Sequence, residues 1–234
     1  MDQAIKTTYI DLNSYRILNY SEIDLDTVKI SEIGIQRSAK DILIYLIPQL
    51  KKKGILHSSN PTIHLRVSGD GRNTGSKIKH VMITFMILND INNHHHADHH
   101  YTTVLYPGAE KYDILSFILK PFLDDLQFLK NNGLDIMGTH WNFKLYFSAN
   151  WKFLAINLGI NCANSRYFCL WCECAKEQHS DLNQDWHISK NMKKIAKDYK
   201  SFYGHTNPPI FDMIAIENII FDILHAFLHI TDQL

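Results

Sequence analysis

Ile63-His64-Leu65-Arg66-Val67-Ser68-Gly69-Asp70-Gly71-Arg72 decides how the chain reads. Its first five residues alternate apolar and polar at period two, which marks a strand with one buried face. The strand runs into Ser68-Gly69-Asp70-Gly71, where glycines let a backbone or a phosphate approach closely. Taken alone, Asp70-Gly71 is a common hairpin turn. Read together with the strands downstream of it, Asp70 is a carboxylate at the end of the first strand of a sheet.

Val81 to Leu88 is a second apolar strand, and Tyr101 to Leu105 a third, closed by Tyr106-Pro107-Gly108. Between them lies Asn92 to His100, a polar loop with five histidines, of the kind that binds metals opportunistically. Glu110 to Lys130 has helical spacing (Ile114, Phe117, Ile118, Phe122, Leu126, Leu129), with a predicted kink at Pro121 and a stop at Asn131-Asn132-Gly133. Phe143 to Phe147 alternates again as a fourth strand. Lys152 to Leu158 reads as a short helix and Ile214 to Ile230 as a long one. Upstream, Ser38 can cap a helix to Leu50 that ends in Lys51-Lys52-Lys53-Gly54, with Pro48 weakening its last turn. Residues 1–35 alternate only weakly and predict no element.

Three strands joined by short connections predict an antiparallel meander, and the helix before the fourth strand predicts a parallel neighbour for it. That is the connectivity of an RNase H-like fold: an α/β (α+β) protein with a mixed sheet and flanking helices. The expected division is an N-terminal helical or irregular segment at 1–58, the core at 59–160, and a Cys-x-x-Cys insertion with a C-terminal helix at 161–234.

An apolar share of 45% suits a packed globular chain, and no apolar run approaches the roughly 20 residues of a membrane span. The amino terminus carries no apolar stretch after a basic start, so no secretory leader and an intracellular place are expected. The four cysteines then read as thiols or metal ligands. Lys+Arg and Asp+Glu number 24 each, a net charge of zero. Duplex binders usually carry a basic excess, so any nucleic-acid role must rest on local patches.

An RNase H-like nuclease holds two divalent cations about 3.5–4 Å apart on shared carboxylates, one on the first strand, one beyond the fourth, one on a later helix. Asp70 stands at the first position. Asn150 stands at the second; its neutral oxygen cannot neutralise a cation, and it suits a helix cap before Trp151-Lys152 equally well. Cys169-Leu170-Trp171-Cys172 is half of a structural zinc site, with a redox pair as the rival. His225 and His229, four apart on one helix face, could complete it, as could His179 and His187. Arg72, Lys77 and Lys152 are candidate phosphate contacts or solvated surface residues.

Leu65 to Arg72, with His80-Val81-Met82-Ile83-Thr84-Phe85 after it, resembles the first two strands of the catalytic core of the V(D)J recombination-activating recombinase and of Transib-type transposases. The likeness continues through Ala109 to Asp113 and the next helix, Phe143 to Leu158, Ser165 to Cys172, and Asp222 to His225, in order. It extends to uncharacterised transposon-derived proteins. The resemblance implies an RNase H-like core with a small zinc-binding insertion, which cuts DNA with Mg²⁺ and carries structural Zn²⁺, with DNA as partner, a nuclear location and room for a homodimer. It makes Asp70 the first catalytic carboxylate, Cys169 and Cys172 zinc ligands, and puts Glu110 or Asp113 near an accessory acidic position. Asn150 departs from it, and the family's final Glu and zinc histidines are expected beyond Leu234. The expectation is a catalytically degenerate DNA-processing core. A live metal-dependent nuclease and a non-enzymatic zinc-stabilised module are the alternatives.

Overall fold

The computed structural model describes residues 5–11, 33–74, 78–181 and 183–222. Lys77, His225 and His229 lie outside them. The chain divides into two units, Met1–Leu145 and Tyr146–Leu234.

In the first unit the elements are β1 (Thr7–Asp11), β2 (Ile33–Arg37), α1 (Ala39–Lys52), β3 (Thr62–Thr74), β4 (Ile78–Ile87), β5 (Tyr101–Pro107), α2 (Tyr112–Ile118), α3 (Lys120–Asn132), β6 (Leu134–Ile136) and β7 (Thr139–Ala149). The last of these runs on into the second unit, which adds α4 (Trp151–Asn157), α5 (Met192–Lys197) and β8 (Ile219–Phe221). The sheet order is β1-β2-β5-β4-β3-β7-β6, with β8 also paired to β7. β4 is antiparallel to both β3 and β5, whereas β8 is parallel to β7. The run β5-β4-β3-β7-β8 is the strand order of an RNase H-like sheet, so the mixed α/β class is as expected.

β3 is longer than its alternation suggests. Its ladder with β4 continues unbroken through Asp70↔Met82 and Gly71↔Val81 to Thr74↔Ile78. Asp70 therefore sits within a strand and not at a turn. Ile63, Leu65 and Val67 of β3 enter the core and are fully buried, as are Val81 and Ile83 of β4 and Val104 and Tyr106 of β5. α1 buries Ile42, Leu43, Ile47 and Leu50 and packs on α3 and β6. Ser38 caps it, accepting from Asp41 N while donating to Asp125 Oδ2 on α3. The helix runs through Pro48 to Lys52, further than Pro48 led one to expect. Ile55 N–H donates to Leu50 O and Gly54 N–H to Lys51 O around Gly54 at φ 70, a Schellman stop. The 110–130 segment is two helices parted at Leu119, where Pro121 has no N–H to continue the first.

One element differs in kind. Among the described residues no long helix starts at Ile214; a single 3₁₀ turn at Ile216–Asn218 leads into β8. Its β-branched run Ile219-Ile220 finds backbone partners on Phe147 to Ala149, and strand pairing overrides the helical spacing. Residues 223–230 lie outside the described residues. β1, β2 and β6 were not foreseen either.

Candidate functional site

Strand geometry sets the site. Because successive side chains of β3 point to opposite faces, the residues between its core positions share the other face: His64, Arg66, Ser68, Asp70 and Arg72. Cross-strand pairing adds Met82 opposite Asp70 and His80 opposite Arg72. Burial first, and then the ammonium of Lys144 on β7, hold His64 below the ordinary imidazole range. Arg72 Nε approaches Asp70 Oδ2 at 3.6 Å, with side chains 85% and 40% exposed, so the pair is a solvated one of little stabilising weight. Arg66 and Arg72 on β3 and Lys144 on β7 thus set three full positive charges along the strands, Arg72 beside Asp70 and Lys144 at the His64 end. In a chain of zero net charge that is a local basic face.

Glu110 lies on the other side of the sheet. A Cβ added at Gly71 would lie 2.5 Å from Glu110 Oε1, so the carboxyl occupies the space that a side chain at 71 would take. Gly71 neighbours Asp70 in an unbroken ladder, and the two carboxylates therefore point away from each other. Burial, and then the charge of Glu110, keep the Tyr106 hydroxyl protonated well above its usual range. Asp113 is exposed in the first turn of α2. Glu110 is thus kept off the face that carries Asp70.

In the second unit Asn150 caps α4. Its Oδ1 accepts from Phe153 N at 2.9 Å, with extended backbone at φ −63, ψ 161. Lys152 is exposed in that helix's first turn. Trp151 packs edge-on against Trp171 and Phe221, at centroid distances of 6.1 and 5.7 Å.

The thiols meet. Cys172 donates to Cys169 Sγ through its backbone N–H at 3.4 Å and its thiol at 3.2 Å. Burial, and next that thiol contact, pushes Cys172 up to about 11. The buried Lys190 donates through Nζ to Cys169 O at 2.8 Å; burial pulls its ammonium down to about 8 against the opposing influence of Cys169 and Glu173. His179 Nδ1 meets Lys176 O, and His187 Nδ1 meets Asp185 O at 3.3 Å, contacts that leave Nε2 of each ring to meet a metal. His205 Nδ1 meets Leu158 O at 3.1 Å, and burial, then Lys190, pull its imidazole down to about 4. Two thiols turned together suit two corners of a tetrahedral site. Among the described residues no group of three or more His, Cys, Asp or Glu is arranged to hold a metal.

The histidine loop closes on itself. His94 Nε2 meets Leu88 O, His100 Nε2 meets His94 O, and His99 Nδ1 pairs with the buried Asp90 at 3.2 Å.

His64, Arg66, His80 and Lys144 were missed as site residues. The signal was present: the period-two alternation that marks the strand also puts His64, Arg66, Asp70 and Arg72 on one face.

No protein-family model matches the chain, and no curated protein sequence matches it. Among the described residues no helix is long and apolar enough to cross a membrane.

Proposed function

We propose that the chain is a DNA-processing core derived from a transposase or recombinase, which keeps a nucleic-acid-binding sheet face and has lost cleavage. The observation that carries this is the row of cations on β3 and β7, with Arg72 beside Asp70, Arg66 further along the same face of β3 and Lys144 at its His64 end, in an otherwise neutral chain. Guanidinium and ammonium groups on a strand face meet phosphates and fix the register of the backbone. Loss of cleavage is a matter of charge. Magnesium paired at a phosphate needs several carboxylates, yet Asn150 is neutral and spends its oxygen on a helix cap, and Glu110 faces away from Asp70. These residues do not fit a pair of magnesium ions. A nuclear location belongs to the same reading.

Anisotropy titrations of a labelled duplex are expected to show binding that weakens with salt. Arg72→Ala with Lys144→Ala should lower the slope of log K against log salt by about 2, since each phosphate contact contributes about 0.9. An unchanged slope would remove the assignment. No magnesium-dependent nicking above an Asp70→Ala control is expected, and Asn150→Asp should not restore it. Robust cleavage that vanishes in Asp70→Ala would instead favour the active nuclease.

Cys169 and Cys172 are proposed as two ligands of a structural zinc. Purified protein should hold about one zinc, and Cys169→Ser should lower both zinc content and thermal midpoint. Equal zinc content in the Cys169→Ser, Cys172→Ser double variant would refute this.

A further inference from the structure

We propose that the row Tyr9, Ile35, Leu105 and Met82, half-buried at Leu105 and exposed at the other three, which ends at Asp70, is a platform for unpaired nucleotides, so that the preferred ligand is single-stranded nucleic acid. This rests on the reading of the same face as a nucleic-acid surface. The row is defined by register: Tyr9 pairs with Ile35, Ile35 with Leu105, Leu105 with Met82, and Met82 with Asp70, across β1, β2, β5, β4 and β3. Directly paired residues share a face, so all five side chains stand on the side that carries Arg66 and Arg72. Tyr9, Ile35 and Met82 are 75%, 37% and 41% exposed, which is unusual for three apolar side chains in one line.

Cations flank the row. Two residues along the strands on one side, Arg72 pairs with His80. On the other side Arg37, two residues from Ile35, is held by donating Nε and Nη2 to Thr102 O at 3.1 and 2.6 Å. An apolar lane between guanidinium groups matches a strand whose bases are free to lie on side chains while its phosphates meet the cations. A duplex offers this lane only phosphates and sugars, and would have to dehydrate them against apolar carbons. Four inter-strand gaps of about 4.8 Å make the row roughly 19 Å long, room for about three nucleotides. Asp70 closes it as an acceptor for base amino groups that turns phosphates away.

The test titrates a labelled 12-nucleotide single strand, and its 12-base-pair duplex, into the whole chain at one salt concentration. Tighter binding of the single strand is expected, and Tyr9→Ala should weaken it about tenfold while leaving the duplex within twofold. Met82→Ala should act in the same direction. Both side chains are exposed, so thermal midpoints should not move. Equal binding of both ligands, or equal loss of both in Tyr9→Ala, would overturn the platform and leave the basic face standing. Absence of binding to either ligand would remove the basic-face reading too. A shift in sedimentation from dimer to monomer in Tyr9→Ala, with single-strand binding unchanged, would make the row a contact between copies and overturn the proposal.

Discussion

Gly159→Ala is expected to cost on the order of 3 kcal/mol or more in a urea unfolding titration. Gly159 ends α4 at φ +64, and its neighbours form a Schellman stop, with Ile160 N–H donating to Ala155 O and Gly159 N–H to Ile156 O. Its own carbonyl accepts from Thr206 N and Asn207 N. The space a Cβ would need is filled by the carbonyl of Asn207, which is backbone and cannot swing aside. Alanine here meets two penalties, the left-handed backbone and a collision with a hydrogen-bonded strap. Gly54→Ala separates them. It ends α1 at φ +70 with nothing within 4 Å of the added carbon, so it should lose only the backbone share, about 1 kcal/mol. Equal losses at the two sites would disprove the collision.

Trp141→Ala is expected to cost roughly 3–5 kcal/mol, the range for emptying a large aromatic site. Trp141 is fully buried and pairs with Leu134 across the β6–β7 hairpin. Its Nε1 donates to Ile136 O at 3.3 Å, so the ring both fills the core and holds the hairpin's other strand. The turn between them, Met137-Gly138, has positive φ at both residues, the type I′ requirement, which a methionine meets poorly. Trp141→Phe keeps most of the buried area and should lose only about 1 kcal/mol with the indole hydrogen bond. If alanine cost no more than phenylalanine, the side chain would be shown to fill no unique volume.

Period-two alternation made β3, β4, β5 and β7 legible, because each buries one face and shows polar residues on the other. β1 and β2 were not legible: Tyr9 and Ile35 stand on the open face, so the hydrophobic pattern that normally reveals a strand is inverted there. β8 falls inside the helix expected over Ile214 to Ile230, because an apolar run does not by itself separate a buried strand from a helix. What decides it is the free edge of β7, about 70 residues away, which local sequence does not announce. In the site, Asp70 and the Cys169–Cys172 contact were legible from spacing. The face occupied by Glu110 was not, since it depends on Gly71 leaving room and on the path of the chain after β5.

The remote partner of β7 also bears on the order in which the chain assembles. β3 and β4 pair from Thr74↔Ile78, a few residues apart, and such hairpins close in roughly 1–10 μs. Phe147↔Ile219 joins residues about 70 apart, and closing that loop must wait until the intervening segment is synthesised and folded. At roughly 5–20 residues per second a ribosome leaves the end of β7 without β8 for several seconds. During that interval Phe147, Ser148 and Ala149 present an unpaired edge, the kind of surface on which other strands can add. Soluble yield should therefore fall more steeply with the rate of synthesis than refolding yield falls with the concentration of the whole chain, which already carries β8.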